Sequence, residues 1–254
     1  MQIIICKTKE EACRKAADTI ASAIRANPRI VLGLATGSTP VAMYDELVKD
    51  NKAGKVDFST VRSFNLDEYQ GLPPEHDQSY RYFMNANLFD RVNIDKANTR
   101  VPPGQAEDVA AACAQYEADI KAAGGIDIQV LGIGSDGHIA FNEPGSSLVS
   151  RTRLVALTEQ TIKDNARFFA SEADVPRRAV SMGVGTIMEA RKIVMLAFGA
   201  NKAAAVKAAV EGGISQFCPA SALQMHPDAM VFLDEEAASQ LALKDFYKRQ
   251  SANV

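Results

Sequence analysis

Along the chain, apolar residues follow two rhythms that take turns: short aliphatic and β-branched runs, and longer stretches in which apolar positions return every three or four residues. Gln2 to Cys6 is a run of the first kind. Thr8 with Glu11 then forms a capping-box pattern, and Cys13, Ala16, Ile20 and Ile24 make the stripe of a helix ending near Asn27-Pro28. A second strand is predicted over Ile30 to Ala35. The turn Thr36-Gly37-Ser38-Thr39-Pro40 follows it, and Val41, Tyr44, Leu47 and Val48 then give a helical stripe, with Thr39 suited to the N-cap and Pro40 to the first helical position. A third strand spans roughly Thr60 to Leu66, and Ser79 caps a helix through Phe83 and Leu88. The stripe Val109, Cys113, Tyr116 and Ile120 closes at Gly124-Gly125, a strong helix stop.

Further on, Arg151 to Leu157, Ala179 to Val184, Lys192 to Phe198 and Ala229 to Leu233 read as strands. Helices are predicted around Thr161 to Phe169, over Ala200 to Glu211, and at the end, where Leu241, Leu243, Phe246 and Tyr247 lie. Strand and helix alternate without an internal repeat or a long linker. This pattern predicts one doubly wound α/β domain over residues 1–254, with a mostly parallel central sheet flanked by helices.

Composition narrows the function class. The formal net charge is −3 and the pI near 5.7, so no basic patch calls for nucleic acid or an anionic membrane. The opening MQIIICKTKEEAC has too short an apolar run for a signal peptide or a membrane span, so a cytoplasmic protein is expected. Cys6, Cys13, Cys113 and Cys218 lie far apart with no C-x-x-C pair, which predicts reduced, buried thiols.

The candidate chemistry concentrates between Ile126 and Ser147. Ile126, Ile128, Val130, Leu131 and Ile133 predict a buried parallel strand, which Gly132, Gly134 and Gly137 interrupt. Asp136, His138 and Glu143 therefore fall on a loop at the strand's carboxyl end, where open α/β sheets bind ligands. Three titratable groups so close suit an acid/base site; the alternative is a solvent-facing polar turn. Asp67 is a second acid at a strand end, in either a catalytic or a turn role. The turn Gly37-Ser38-Thr39 opens a helix and so either cradles a phosphate on free backbone N–H groups or merely caps that helix. Lys202 could close over a phosphate and Arg167 could grip one with two nitrogens, unless both are surface charges.

Gly132 to Gly137 also spells G-x-G-x-x-G after a strand, with Glu159 downstream. A dinucleotide site needs a helix directly after the last glycine, and Pro144-Gly145 soon interrupts that stretch, which argues against such a cofactor. No metal is expected: His138 and Glu143 lack the ligand spacing of a zinc helix, and His76 and His226 sit in unrelated proline-containing segments.

Four segments, Phe64 to Tyr69, Gly134 to Pro144, Ser150 to Arg153 and Leu223 to Pro227, resemble the glucosamine-6-phosphate deaminase family, in order and across the chain. A looser relative, 6-phosphogluconolactonase, shares the general fold. The resemblance implies a modified Rossmann-like sheet, no metal or organic cofactor, and conversion of glucosamine 6-phosphate to fructose 6-phosphate and ammonia. It implies that Asp67 is the base at C2 and C1, that His138 opens the sugar ring, and that Asp136 and Glu143 orient the imidazole. Gly37, Ser38, Thr39, Arg167 and Lys202 would hold the phosphate. Relatives of this kind are often hexamers activated by N-acetylglucosamine 6-phosphate. Ser146, Ser147 and Arg153 match that effector site, but Val155 stands where allosteric members carry a lysine, so activation is expected to be weak or absent. The rival readings are another sugar-phosphate enzyme of the same fold and a non-catalytic sugar-phosphate sensor.

Overall fold

The structure, a computed structural model, describes residues 1–251. Its strands, in chain order, are β1 (Gln2–Cys6), β2 (Val31–Leu34), β3 (Arg62–Asn65), β4 (Asp67–Tyr69), β5 (Thr99–Arg100), β6 (Ile128–Leu131), β7 (Arg153–Ala156), β8 (Arg178–Ser181), β9 (Lys192–Ala197) and β10 (Ala229–Asp234). Between and after them run α1 (Lys9–Ala26), α2 (Val41–Lys52), α3 (Tyr80–Asn87), α4 (Val109–Ala122), α5 (Glu159–Ala166), α6 (Val184–Met188), α7 (Ala203–Glu211) and α8 (Lys244–Ser251). Among the described residues, no helix is long and apolar enough to cross a membrane.

Seven strands pair in the order β1-β10-β9-β6-β2-β3-β5, and every pairing is parallel. β2 and β6 are buried along their whole length, as strands between two helical layers should be, and β6 encloses one polar side chain, Gln129, whose amide donates to the Val130 carbonyl. From β2 the chain steps outward to β3 and β5, whereas β6, β9 and β10 build in the other direction. The reversal therefore lies between β2 and β6. A crevice opens outside the carboxyl ends of strands at such a point, so the loops after β2, β3 and β6 are set around one space by topology alone.

Local sequence explains several helix ends. Thr8 caps α1 by accepting the Glu11 N–H, while the Glu11 carboxylate reaches the Lys7 N–H instead of that of Thr8, a capping box displaced by one residue. Ser79 caps α3 and Asp108 caps α4, which ends at Gly124 and Gly125, both with positive φ. α2 departs from the sequence expectation. Pro40 already has helical angles, φ −81° and ψ −9°, and neither Thr39 nor any other side chain caps this N-terminus. All four cysteines are free and buried, and burial pushes the Cys13 thiol up to about 11.

One layer was not foreseen. β4, β8 and β7 form a separate three-stranded antiparallel sheet, so Arg151 to Leu157 and Ala179 to Val184 do not extend the parallel one. β7 is only half-buried, the pattern of a sheet with one wet face, and four residues are too few for that alternation to announce itself. This sheet carries its own small core of Tyr69, Phe141, Leu157, Ile162, Val175 and Ala179. The Met182 N–H bonds to the Leu66 carbonyl, at 2.7 Å, where β3 passes into β4, and so ties the small sheet to the large one.

Candidate active site

The crevice at the strand reversal is a cavity of about 510 Å³. Thr36 to Thr39 reach it from the end of β2, Asp67 from the end of β3, and Gly134 and His138 from the end of β6. α5 and the residues just beyond it supply Gln160, Thr161, Asn165, Arg167 and Phe168, and Asn201 and Lys202 come from the turn before α7. Gly37, at φ +86°, makes a left-handed turn that side-chain-bearing residues rarely adopt. Tyr44 fixes the base of this loop through its hydroxyl, which donates to the Ala35 carbonyl at 2.7 Å. Since no side chain caps α2, its first N–H groups are not occupied by Thr39, whose hydroxyl-bearing side chain lines the cavity beside Ser38.

Asp67 and Glu68 are both buried, at 6% and 4% exposure, but neighbouring strand residues point to opposite faces. Asp67 faces the cavity. Burial pushes its carboxyl up to about 8, and the adjacent Glu68 charge adds to the rise. Glu68 turns to α3 and accepts the N–H groups of Tyr69, Tyr80 and Arg81 at 2.9, 2.9 and 3.0 Å, so it closes the start of that helix from β4. Burial raises the Glu68 carboxyl as well, against the pull of those three donors.

His138 sits in a closed turn in which Gly134 N–H donates to the His138 carbonyl and Gly137 N–H to the Gly134 carbonyl. A β-carbon on Gly134 would come within 2.3 Å of the His138 ring, so a glycine there is what lets the imidazole lie over the backbone. Two carboxylates address one ring nitrogen: Nδ1 is 2.7 Å from Asp136 Oδ1 and 3.5 Å from Glu143 Oε2. Both carboxylates thus lie on the Nδ1 side of a ring that borders the cavity. Burial works against the Asp136 charge, but the hydrogen bond and charge of His138 outweigh it and hold the carboxyl well below the usual range. Glu143, at 7% exposure, has its other oxygen 2.6 Å from the Thr161 hydroxyl. The ligand-type atoms of Asp136, His138 and Glu143 lie within 4.8 Å of one another, close enough to chelate a cation, a grouping that helix-based spacing rules do not detect. No helix follows Gly137; the next is α5, far along the chain, and its Glu159 bridges Arg177 at the surface.

Asp67, His138, Gly37, Ser38, Thr39, Arg167 and Lys202 thus meet on one cavity, with Asp136 and Glu143 behind the imidazole. The Arg167 guanidinium lies over the Phe168 ring, 4.7 Å from its centre. The three candidate effector residues are elsewhere and only two of them meet. Arg153 reaches the Ser146 hydroxyl at 3.3 Å, but the Ser147 hydroxyl accepts the Val149 N–H instead. Arg153 borders a separate, larger cavity of about 1080 Å³ beneath α4 and β7, which contains none of the acid/base groups. Tyr80, Phe141, Thr161 and Asn201 were missed in the sequence. Tyr80 and Phe141 stack at an interplanar angle of 12° along one wall. An aromatic residue just inside a capped helix start was a faint sign of Tyr80; the others carry no local signal.

Comparison with known proteins agrees with this geometry. The family described as glucosamine-6-phosphate isomerases/6-phosphogluconolactonase matches residues 7–232. A glucosamine-6-phosphate deaminase of Shewanella loihica is 58% identical over 252 residues, covering 99% of this chain and 94% of that one. One of Cellvibrio japonicus is 55% identical over 248 residues, covering 98% and 94%. Among solved structures, a monomeric glucosamine-6-phosphate deaminase superposes with a TM-score of 0.92 at 43% identity, over 94% of this chain and all of that one. A 6-phosphogluconolactonase from Trypanosoma cruzi, at 22% identity and a TM-score of 0.73 over 95% of this chain and 97% of its own, shares the fold. With acids at the ends of the right strands and this similarity running nearly end to end, the chain belongs to the glucosamine-6-phosphate isomerase/6-phosphogluconolactonase family.

Proposed function

We propose that the protein is a glucosamine-6-phosphate deaminase, a hydrolase that converts glucosamine 6-phosphate and water to fructose 6-phosphate and ammonia in amino-sugar catabolism. One observation carries the reading: a buried carboxyl with a raised pKa and an acid-flanked imidazole share a cavity with an uncapped helix start and two basic residues. The Gly37-Ser38-Thr39 loop and the α2 N-terminus receive the phosphate, with Arg167 and Lys202 completing the grip.

His138 passes a proton between the ring oxygen and the anomeric hydroxyl, which opens the sugar. Asp136 and Glu143 hold the imidazole in place while it does so. With the C1 oxygen taking a proton from the substrate's ammonium group, Asp67 then removes the C2 proton, giving a C1–C2 enolamine, and returns it to C1, leaving an iminium at C2. Water adds at C2 and ammonia departs, so the products contain all atoms of substrate and water, and Asp67 ends ionised as it began. Each step is a proton transfer or the addition of water, work for positioned acids and bases without an organic cofactor.

The same reading extends to regulation and setting. Ser146, Ser147 and Arg153 form the remains of an effector site for N-acetylglucosamine 6-phosphate, in a pathway of N-acetylglucosamine use; a homo-oligomer would carry such a site at a subunit interface. Val155 lies two residues from Arg153 on β7 and packs toward the small core. Absence of a charge-assisted contact there weakens effector binding by roughly 1.5–3 kcal/mol. A phosphorylated substrate, held inside the cell that makes it, fits a cytoplasmic enzyme.

The test is release of ammonia and fructose 6-phosphate from glucosamine 6-phosphate by purified protein, with and without N-acetylglucosamine 6-phosphate. Release in both conditions at similar rates is expected. No release, with hydrolysis of a phosphorylated lactone in its place, would sink the reading. Asp67→Asn should abolish turnover yet retain binding of a substrate analogue. Val155→Lys should increase the response to the effector.

A further inference from the structure

We infer that Thr161 is a positioning residue for the reaction: its hydroxyl, carried on α5, sets the Glu143 carboxylate that in turn steadies His138. The inference rests on the deaminase reading of the acid/base cluster. Thr161 Oγ1 donates to Glu143 Oε1 at 2.6 Å, the shortest of the contacts around that oxygen. The Thr158 hydroxyl and N–H also point to it but lie at 3.3 and 3.4 Å, and the Thr158 hydroxyl is already the cap that accepts the Thr161 N–H. Glu143 Oε2 is thereby left to face His138 Nδ1 at 3.5 Å. One carboxylate thus joins the first turn of α5 to the imidazole.

Both partners are almost fully enclosed, Thr161 at 6% and Glu143 at 7% exposure, so solvent does not readily replace a lost hydroxyl. With only the two longer contacts from Thr158, the carboxylate becomes free to turn, and a turned carboxylate no longer aims at Nδ1. The start of α5 also sits next to a negative charge, which the helix dipole favours. Arg167 caps the other end of the same helix and lines the cavity. Hence the element that brings a basic residue to the substrate also holds the acid behind the imidazole, and the two ends cannot move independently over a helix only eight residues long.

Thr161 itself borders the cavity, so a direct role toward substrate is the competing explanation, and the experiment separates the two. Thr161→Val, Thr161→Ser, Glu143→Gln and the Thr161→Val/Glu143→Gln pair are compared in steady-state kinetics. Thr161→Val is expected to lower kcat by about 10–100-fold, the usual loss when a group that orients a histidine's partner is removed, with KM within about threefold. Thr161→Ser, which keeps the donor, should recover turnover to within about threefold. In the Glu143→Gln background the valine substitution should cost little more, because the carboxylate it acts through is gone. A loss confined to KM, no rescue by serine, or a full further loss on top of Glu143→Gln would overturn the positioning role alone. Wild-type turnover in Glu143→Gln would overturn the catalytic reading of Glu143 and this inference with it.

Discussion

At the residue scale, Asp67 and Glu68 show how one backbone step separates two employments for the same chemistry. Asp67 is buried at the edge of the cavity and, among the described residues, meets no donor that would favour its charge, so burial raises it to about 8. A carboxyl of that strength is a far better base for a carbon acid than an ordinary aspartate, because general-base efficiency follows pKa as long as the group can still ionise near working pH. Below about pH 8 the free enzyme should hold Asp67 protonated and inactive as a base, and above it ionised. The check is infrared spectroscopy: a protonated-carboxyl band that fades as pH rises through about 8 and is missing in Asp67→Asn. Glu68→Gln removes the like charge beside it, so the midpoint should move to lower pH while burial keeps it above the ordinary carboxylate range. A midpoint that does not move would remove Glu68 from the account. Gly134→Ala tests the other half of the site. Its β-carbon meets the imidazole at 2.3 Å, so turnover should fall by at least about 100-fold while the central sheet stays folded, to be read from kcat alongside thermal melting. Normal kcat in a folded Gly134→Ala protein would show that the ring position is not critical.

At the scale of elements, the loop that carries His138 and Glu143 is held by a clamp that no motif announces. Asn142 is fully buried; its amide donates to the Ile139 carbonyl at 3.0 Å and the Met182 carbonyl at 2.8 Å, and its oxygen accepts from Arg153 at 2.9 Å. It closes a tight turn in which Ala140 takes φ +51°, a left-handed angle costly for a residue with a side chain. Asn142→Asp should destabilise the fold by about 1–3 kcal/mol in chemical denaturation, because two carbonyls lose their donor while the Arg153 contact survives. Unchanged stability would mean the clamp carries no energy. Such ties mark the limit of reading the sequence. The parallel strands were legible because β2, β6, β9 and β10 are predominantly apolar runs, and Asp67 and His138 were legible as polar residues just past such runs. The antiparallel sheet was not, since β7 and β8 are four-residue strands whose pairing depends on where the chain returns in space. Nor were Thr39's failure to cap α2 and Thr161's grip on Glu143, which follow from loop geometry and from a contact between residues 18 apart in sequence.

At the scale of the whole molecule, the reversal of strand order divides labour between the loops it gathers. In the proposed reaction the loop after β2 and the basic residues beyond α5 and before α7 bind the phosphate, while the loops after β3 and β6 carry the acid and base groups. Binding and chemistry should therefore separate cleanly under mutation. A ligand that binds only the folded state stabilises it by about 2.7 kcal/mol at one hundred times its Kd. For a chain of 254 residues, each kcal/mol raises Tm by about 2–4 °C, so fructose 6-phosphate at that excess should raise Tm by about 5–11 °C. Asp67→Asn, though inactive, should keep nearly the whole shift, since its site on the cavity is remote in role from the phosphate grip. The Arg167→Ala/Lys202→Ala pair should lose most of it at the same ligand concentration. If the pair kept the full shift, the phosphate would be held by the Gly37-Ser38-Thr39 loop and the start of α2 alone, and the two cations would have to serve some other step. If Asp67→Asn lost the shift, the acid would be a binding group for the sugar as well as its base, and the division between loops would fail.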